Sequence, residues 1–296
     1  MPFTSFLNYL SLEKNYSKHT LIAYHKDLLG FREFALSEFD FSEVNSVSYA
    51  IIRSWIVKLV GDGVSNRTIN RKISSLRTYY KFLLKIGDIE VSPLVKHKVL
   101  KTSKKLQVPF SEKEIEDVLE ILKEEDSFLG LRNKLIVELF YSTGMRRGEL
   151  VNLKLNDISD SQKTIKVLGK RNKERIIPLL PSALNTIASY IDYRKSLSSI
   201  KDVHYLLLTE KGAKVYETLV YRVINNYFSK ASEKVKKSPH ILRHSFATHL
   251  LNEGADIKSV KELLGHSSLA STQIYANNSI SKLKQVYKNA HPRNSK

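Results

Sequence analysis

Four short segments of the sequence carry polar side chains that the surrounding helical patterns do not need for folding. In chain order, these side chains are Arg146, Lys170, His240 with Arg243, and His266 followed by Tyr275. Two guanidinium groups can bind the non-bridging oxygens of a phosphodiester and offset the charge that grows as phosphorus becomes five-coordinate. A lysine can protonate a leaving alkoxide, and a tyrosine nucleophile forms a phosphotyrosyl bond that conserves the energy of the broken diester. The set is therefore suited to cutting and resealing a phosphodiester strand.

Helix geometry supports part of this interpretation. His240 and Arg243 lie three residues apart, just after a helix start at Pro239, and therefore share one helix face. The free N–H groups and the dipole of a first helical turn also favour an anion. His266 directly follows Gly265, a helix terminator that can direct the imidazole ring toward the same place.

A zinc site is the alternative for the histidines. His240 and His244 have the four-residue spacing of a zinc pair on a helix. The segment lacks the glutamate of the metalloprotease motif, however, and Arg243 beside a dication would be electrostatically unfavourable. We therefore predict no metal site, and we assign structural roles to His244 and His249.

Taken together, the motifs resemble a known active-site set. They are Thr143-Gly144-Met145-Arg146-Arg147-Gly148-Glu149-Leu150, the Gly169-Lys170 turn, His240-Ile241-Leu242-Arg243-His244, and Leu264-Gly265-His266 with Tyr275. In order and spacing they are similar to the motifs of the tyrosine recombinases, the phage-integrase family. The resemblance spans the whole chain and is strongest to the bacterial Xer recombinases, XerC and XerD.

The resemblance implies a role for each arginine of the set. Arg146 and Arg243 would clamp the scissile phosphate, and Glu149 would support the first of them. Arg147-Gly148 differs locally from many relatives, and Arg147 itself could contact DNA or be a surface charge. No cofactor is implied.

The same resemblance implies the covalent chemistry. Tyr275 would attack the phosphate to form a 3′-phosphotyrosyl link, and Lys170 would protonate the leaving 5′ oxygen. His240 and His266 would supply hydrogen bonds and handle protons. Strand exchange would pass through a Holliday junction, and neither a metal ion nor a nucleotide would be needed.

Composition agrees with a nucleic-acid partner and a reducing compartment. The 296 residues include 48 Lys and Arg against 30 Asp and Glu, a net charge of +18. Cys is absent, which excludes disulfides, thiolate nucleophiles and cysteine-ligated zinc. No secretory signal and no run of eighteen apolar residues is present, so we expect a cytoplasmic, nucleoid-associated protein.

We predict two domains joined by a basic linker. Residues 1–95 form a helical DNA-binding domain, which the resemblance identifies as a SAM-like core-binding domain; residues 96–108 form the linker, and residues 109–296 the catalytic domain. Apolar spacing predicts a helix from Ser17 to Leu36 and a second one capped by Asn66 and closed by Gly87. Basic residues predicted to contact DNA are Arg67, Arg71, Lys72, Arg77 and Lys81 on the second helix, and Lys101, Lys104 and Lys105 in the linker. A merely solvated charged face is the alternative.

The catalytic domain is predicted to be helical with one small β-hairpin. Ser111 and Glu114 form a capping box at its first helix. Strand patterns at 164–167 and 175–179 flank a basic turn, and everything after them is predicted to be helical. Apolar positions assigned to the core near the end are Leu250, Leu251, Ile257, Val260, Leu263 and Leu264. The fold class is thus mainly α with a small sheet (α+β), and the resemblance implies a C-shaped clamp on DNA.

The resemblance also implies a biological role. It suggests Xer-type resolution of chromosome dimers at a dif-like site, in support of chromosome partition and cell division. Expected partners are a second recombinase in a homo- or heterotetramer and an FtsK-type translocase, with the final helix docked on a neighbouring subunit. The alternatives are a mobile-element integrase, a type IB topoisomerase-like enzyme, a metallohydrolase and a non-catalytic DNA-binding regulator.

Overall fold

The computed structural model describes residues 3–102, 108–169, 173–234, 236–265, 287 and 290–294. The chain divides into two compact units, Met1–Lys105 and Leu106–Lys296. Lys104, Lys105, Lys170, His266 and Tyr275 lie outside the described residues. Within the described residues, no helix is both long and apolar enough to span a membrane.

The first unit is helical. Its elements are α1 (Thr4–Asn8) followed by a π-helical turn (Tyr9–Glu13), α2 (Lys18–Phe39), a 3-10 turn (Val44–Ser46), α3 (Tyr49–Gly61) and α4 (Asn66–Ile86). The predicted inward stripe of α4 is confirmed, because its members are all buried in one apolar core: Ile69, Ile73, Leu76, Tyr80 and Leu83. Gly87 ends α4 in the left-handed conformation, as predicted.

The N-terminal cap of α4 differs from the prediction. Ser65 is the capping residue, and its hydroxyl accepts a hydrogen bond from the Thr68 N–H. Asn66 is the first helical residue, so its side chain is free for another contact. Both residue types can cap, and only the backbone conformation of Ser65 decided which of them does.

The second unit is built mainly of helices around a small sheet. Its elements are α5 (Glu112–Lys123), α6 (Phe128–Thr143), α7 (Arg147–Val151), a 3-10 turn (Leu155–Asp157), β1 (Ile158–Ser159), β2 (Thr164–Leu168), β3 (Glu174–Pro178), α8 (Pro181–Lys195), α9 (Glu217–Ala231), α10 (Pro239–Asn252), α11 (Ile257–Leu264) and a 3-10 turn (Pro292–Asn294). The predicted capping box of Ser111 and Glu114 is present at α5. The predicted helix start at Pro239 and the predicted helix end at Gly265 are also confirmed.

The sheet is antiparallel with strand order β1-β2-β3. Pairing of β2 with β3, for example Lys166 opposite Ile176, confirms the predicted hairpin. Strand β1 was not predicted because two residues carry no readable alternation. The prediction that all later residues are helical is wrong for 197–216, where isolated bridges such as Leu208 to Lys214 replace helix.

Two of the predicted core positions are wrong. Leu251 and Ile257 are exposed, whereas Leu250, Val260, Leu263 and Leu264 are buried. Leu251 faces away from the core at the last turn of α10, and Ile257 is the first residue of α11, before the helix packs. Helical spacing predicts which residues share a helix face, but it does not predict which of them are buried near a helix end.

The end of the chain contributes to the core of its own unit. Tyr287 and Ala290 are buried among residues of the second unit. The described residues of this segment thus pack within their own unit, and docking of the final helix on a neighbouring subunit stays a prediction.

Candidate functional site

Three consecutive carbonyl oxygens at the end of α11 each accept a hydrogen bond from a different arginine. Arg175 Nε donates to Leu263 O at 2.8 Å, and Arg243 Nη2 donates to Leu264 O at 2.6 Å. Arg146 Nη2 donates to Gly265 O at 3.0 Å. The last carbonyls of a helix have no intrahelical partner and carry the negative end of the dipole, so they attract cations. The arrangement gathers three positive charges at one helix end.

Arg146 reaches this position because a glycine precedes it closely. Gly144 ends α6 with φ of +57°, and a Cβ atom there would lie 2.3 Å from Phe246 Cδ1. No larger residue fits without displacing the Phe246 ring. The Gly144 carbonyl in turn accepts a hydrogen bond from Arg243 Nη1. The turn after α6 therefore serves both arginines.

Glu149 is buried and binds both Arg146 and Arg175. Its Oε1 accepts from Arg146 Nη1 at 2.7 Å and from Arg175 Nη1 at 3.1 Å. Its Oε2 accepts from the Arg146 N–H at 2.8 Å and from Arg175 Nη2 at 2.7 Å. Burial alone would raise the pKa of Glu149, but the hydrogen bonds from Arg175 and Arg146 hold it below its ordinary value. The carboxylate is thus ionised at neutral pH and orients two guanidinium groups.

Arg243 lies on α10 and is nearly inaccessible. Burial lowers its pKa to about 10, and the nearby charges of Arg146 and Arg175 act in the same direction. The group still carries its charge at neutral pH. Because buried like charges are held together only where surrounding structure enforces it, the cluster marks a site prepared for an anion.

Of the four remaining predicted site residues, the structure describes one. His240 is exposed in the first turn of α10, three residues before Arg243. Lys170, His266 and Tyr275 lie outside the described residues. Their described neighbours are informative: a Cβ on Gly169 would meet Glu149 Oε1 at 3.5 Å, and a Cβ on Gly265 would meet Arg175 Nη1 at 3.0 Å.

Arg175 was missed by sequence reasoning. The sequence pattern predicts it only as a strand residue beside the hairpin turn. A signal was nevertheless present, because Arg175 shares the strand face of Ile177, which is fully buried. An arginine on the inward-facing side of an otherwise apolar strand requires a buried partner, and Glu149 is that partner.

The basic residues of α4 do not all present free charges. Asp27 of α2 is buried, and its Oδ2 and Oδ1 accept from Arg71 Nη1 at 2.5 Å and Arg71 Nη2 at 3.0 Å. Lys72 Nζ lies 3.5 Å from Asp27 Oδ1. Helix α4 itself supplies no acidic residue to this face, and folding brings Asp27 from α2. Arg67 and Lys81 are exposed on α4.

The chain after α4 is fastened along that helix. Asn70 Nδ2 donates to Leu100 O at 2.8 Å, and the Leu100 N–H donates to Asn70 Oδ1 at 3.0 Å. Asn66 Nδ2 donates to Lys101 O at 2.8 Å, and Arg77 Nη2 donates to the carbonyl of His97 at 3.4 Å. We call residues 97–101 the strap. The first residues of the predicted linker thus lie against α4, although its boundaries stay a prediction.

The sequence analysis also considered Arg147, His244, His249 and a metal site. Arg147 forms an ion pair with Glu217, with Nη2 and Oε2 2.5 Å apart. His249 is buried and its Nδ1 lies 3.0 Å from Tyr141 Oη, while His244 is exposed. In the described ranges, no three His, Asp or Glu side chains lie close enough together to hold a metal ion.

Comparison with known proteins gives consistent similarities. Residues 109–282 match the Phage integrase family and residues 3–87 match the Phage integrase N-terminal SAM-like domain. The chain is 39% identical over 292 residues to tyrosine recombinase XerC of Staphylococcus carnosus strain TM300, and 37% identical over 292 residues to XerC of Staphylococcus aureus strain USA300 / TCH1516. Both alignments cover 99% of this chain and 97% of the relative.

A solved structure shares the fold. The crystal structure of the XerH site-specific recombinase bound to a palindromic difH substrate, a post-cleavage complex, matches with a TM-score of 0.72 and 22% identity. The match covers 95% of this chain and 79% of that chain. At this level of identity the similarity concerns the architecture.

Proposed function

Because the chain belongs to the phage integrase family and is a site-specific tyrosine recombinase, we propose a specific set of residues for its chemistry. Tyr275 is the nucleophile, and Arg146 and Arg243 clamp the scissile phosphate with Glu149 in support. Lys170 is the general acid, and His240 and His266 supply hydrogen bonds and handle protons. The observation that carries the proposal is the convergence of two arginines on consecutive carbonyls, Leu264 O and Gly265 O, at the end of α11.

The arginine pair is suited to the transition state. Each of these guanidinium groups donates to backbone carbonyls and retains further N–H groups, since an arginine carries five. A phosphate that enters the cluster would accept hydrogen bonds from these further N–H groups, and charge on both partners makes such bonds strong. Preorganised donors of this kind stabilise charge as it develops, without reorganisation during the reaction.

The reaction then balances as follows. The Tyr275 oxygen forms a bond to phosphorus as the bond from phosphorus to the 5′ oxygen breaks, which leaves a 3′-phosphotyrosyl link. Lys170 gives its proton to the departing 5′ oxygen, and the phenol proton passes to a base, for which His266 is the candidate. The 5′-hydroxyl of the partner duplex attacks the link and releases Tyr275, and this exchange yields a Holliday junction. A second round of exchange resolves the junction.

DNA binding is proposed for both units. In the first unit, exposed Arg67 and Lys81 on α4 and Lys101 at the end of the strap form a basic surface suited to phosphates. Arg71, Lys72 and Arg77 contribute charge while they also hold structure. Lys104 and Lys105 stay proposed contacts outside the described residues.

The substrate and partners are also proposed. The Staphylococcus relatives are named XerC, and the XerH structure contains a difH substrate. By analogy, this chain acts in the cytoplasm at a dif-like site, in a tetramer with a second recombinase and with an FtsK-type translocase as activator, to resolve chromosome dimers. Recombination of a mobile element instead would appear as a different preferred site.

The deciding experiment traps the covalent intermediate. The full-length protein is incubated in EDTA with a nicked suicide duplex that contains the dif-like site, and adducts are resolved under denaturing conditions. We expect a stable protein–DNA adduct with the natural protein and none with Tyr275→Phe. Tight binding without an adduct, even with the partner recombinase added, would favour a DNA-binding regulator.

Two further readouts separate the related chemistries. Recombined circles indicate a recombinase, whereas relaxed circles alone indicate a topoisomerase-like enzyme. For the general acid, Lys170→Ala should slow cleavage strongly, and a substrate with sulfur at the 5′-bridging position should restore the rate, since a thiolate leaves without protonation. Failure of sulfur to restore cleavage would remove Lys170 from this role.

A further inference from the structure

We propose that Arg175 is a positioning residue of the recombination site, which orients Arg146 through Glu149 and joins strand β3 to the end of α11. The inference rests on the proposed function, because it assigns a role in the same site. Arg175 lies on the strand that follows the turn of Lys170, and it is absent from the set that the motifs identified.

All three nitrogen atoms of the Arg175 guanidinium are hydrogen-bonded. Nη1 and Nη2 donate to the two oxygens of Glu149 at 3.1 and 2.7 Å, and Nε donates to Leu263 O at 2.8 Å. The side chain is 12% exposed. Hydrogen bonds on two edges of the planar guanidinium fix its orientation. The ammonium group of a lysine cannot make the same set of bonds.

The Glu149 carboxylate transmits this orientation to Arg146. Each of its oxygens accepts one bond from the Arg175 guanidinium, while Oε1 also accepts from Arg146 Nη1 and Oε2 from the Arg146 backbone N–H. Without Arg175, the full negative charge of Glu149 would be offset by Arg146 alone, which would hold that guanidinium against the carboxylate and away from a phosphate. Arg175 therefore leaves the positive charge of Arg146 available to substrate.

Arg175 also lies against two glycines, each of which is the last residue before a stretch that the structure does not describe. A Cβ on Gly265 would lie 3.0 to 3.2 Å from Nη1, Cδ and Cζ of Arg175, so the guanidinium packs directly on Gly265. A Cβ on Gly169 would lie 3.4 Å from Arg175 Nη1. Gly169 precedes Lys170 and Gly265 precedes His266. The guanidinium of Arg175 thus lies beside the backbone of both Gly169 and Gly265.

The test compares Arg175→Lys with Arg194→Lys in the full-length protein. Arg194 is the control, because it is also a largely inaccessible arginine of the second unit and donates to the carbonyls of Val203 and Tyr205. DNA affinity, adduct rate on the nicked suicide duplex and thermal midpoint are measured for each variant. A purely structural arginine would change stability in both variants but would not change the adduct rate of folded, DNA-bound protein.

We expect Arg175→Lys to bind DNA within about threefold of the natural protein and to form adduct about 100-fold more slowly, the size of effect seen when one preorganised donor is lost. On a duplex whose scissile phosphate is a neutral methylphosphonate, the defect should shrink to less than about tenfold. The reason is that less negative charge then develops at phosphorus for Arg146 to stabilise. Arg194→Lys should keep its adduct rate. Equal adduct rates for Arg175→Lys and the natural protein would overturn the positioning role.

A second pair of variants tests whether the two residues act through one contact, and Arg175→Gln replaces Arg175→Lys in both tests if the lysine variant does not fold. Glu149→Gln removes the charge that Arg175 offsets, so Arg175→Lys should add less than about threefold to its defect if both residues act through one contact. Independent, multiplicative defects would overturn the inference. An absence of adduct with the natural protein would instead overturn the proposed function, and this positioning role with it.

Discussion

The phenol of Tyr287 donates a hydrogen bond to the carbonyl oxygen of Ser142 in the last turn of α6. Close by, His291 Nε2 lies 3.2 Å from the carbonyl of Tyr141, and Arg293 Nη1 lies 3.1 Å from Glu138 Oε1. The end of the chain therefore satisfies carbonyls that a helix end leaves without partners. Since α6 leads directly into the turn that binds the site arginines, the C-terminal residues stabilise one support of the site.

His291 should make this docking sensitive to acid. Its Nε2 donates to Tyr141 O and its Nδ1 accepts from the Arg293 N–H, an arrangement that only the neutral ring allows. Burial lowers its pKa from 6.5 to about 4, and Arg293 and His249 act in the same direction. Because the folded pKa lies below the unfolded one, stability is complete above pH 6.5 and is lost as pH falls toward 4.

Urea unfolding at pH 7.5 and pH 5 measures the effect. Between these values the natural protein should lose about 2 kcal/mol through this group, at 1.36 kcal/mol per pH unit. His291→Gln keeps a donor for Tyr141 but does not titrate, so its loss should be smaller by that amount. Parallel pH profiles for the two proteins would show that His291 is not the sensor.

Gly144 should tolerate no side chain. It combines φ of +57° with a Cβ position that overlaps the Phe246 ring, and Gly144→Ala should therefore destabilise the second unit by about 3 kcal/mol or more. Gly254 is the control: its φ is +85°, but a Cβ there meets open space. Gly254→Ala should cost only about 1 kcal/mol. Similar thermal shifts in the two variants would contradict the steric argument.

Arg71 and Arg67 should separate stability from DNA binding. Arg71→Ala leaves the buried Asp27 carboxylate with fewer donors, so it should destabilise the first unit by about 1–3 kcal/mol. Arg67→Ala should leave stability unchanged and lower the slope of log affinity against log salt by about 1. The measurements are chemical unfolding and DNA titration at several salt concentrations. The assignment is wrong if Arg67→Ala unfolds the protein more readily than Arg71→Ala does.

Asn70 should hold the strap in place. Asn70→Ala removes both hydrogen bonds to Leu100, and we expect trypsin to cleave after Lys98 and Lys101 about tenfold faster, because opening would cost about 1–2 kcal/mol less. Ser74 is exposed on the same helix, and Ser74→Ala is the control with no change expected. Cleavage at an unchanged rate in Asn70→Ala would mean that other contacts hold these residues.

Local patterns in the sequence were sufficient for much of the fold. The apolar stripe of α4, the capping box at Ser111, the β-hairpin and the helix end at Gly265 each depend on residues close in the chain. For the same reason, the motif residues Arg146, Glu149 and Arg243 could be identified before their contacts were known. Their types and order carry the chemistry, and the roles assigned to them remain proposals.

Tertiary structure decided what depends on distant parts of the chain. Asp27 meets Arg71 from another helix, and Arg175 meets Glu149 and Leu263 from a strand, so no local pattern could report either contact. Local spacing likewise placed Leu251 in the core, although packing leaves it exposed. The sequence by itself determined which groups could act and which helices carry them. Only the packing of those elements decided which charges are neutralised, because a buried ion pair requires partners that folding alone brings within hydrogen-bond distance.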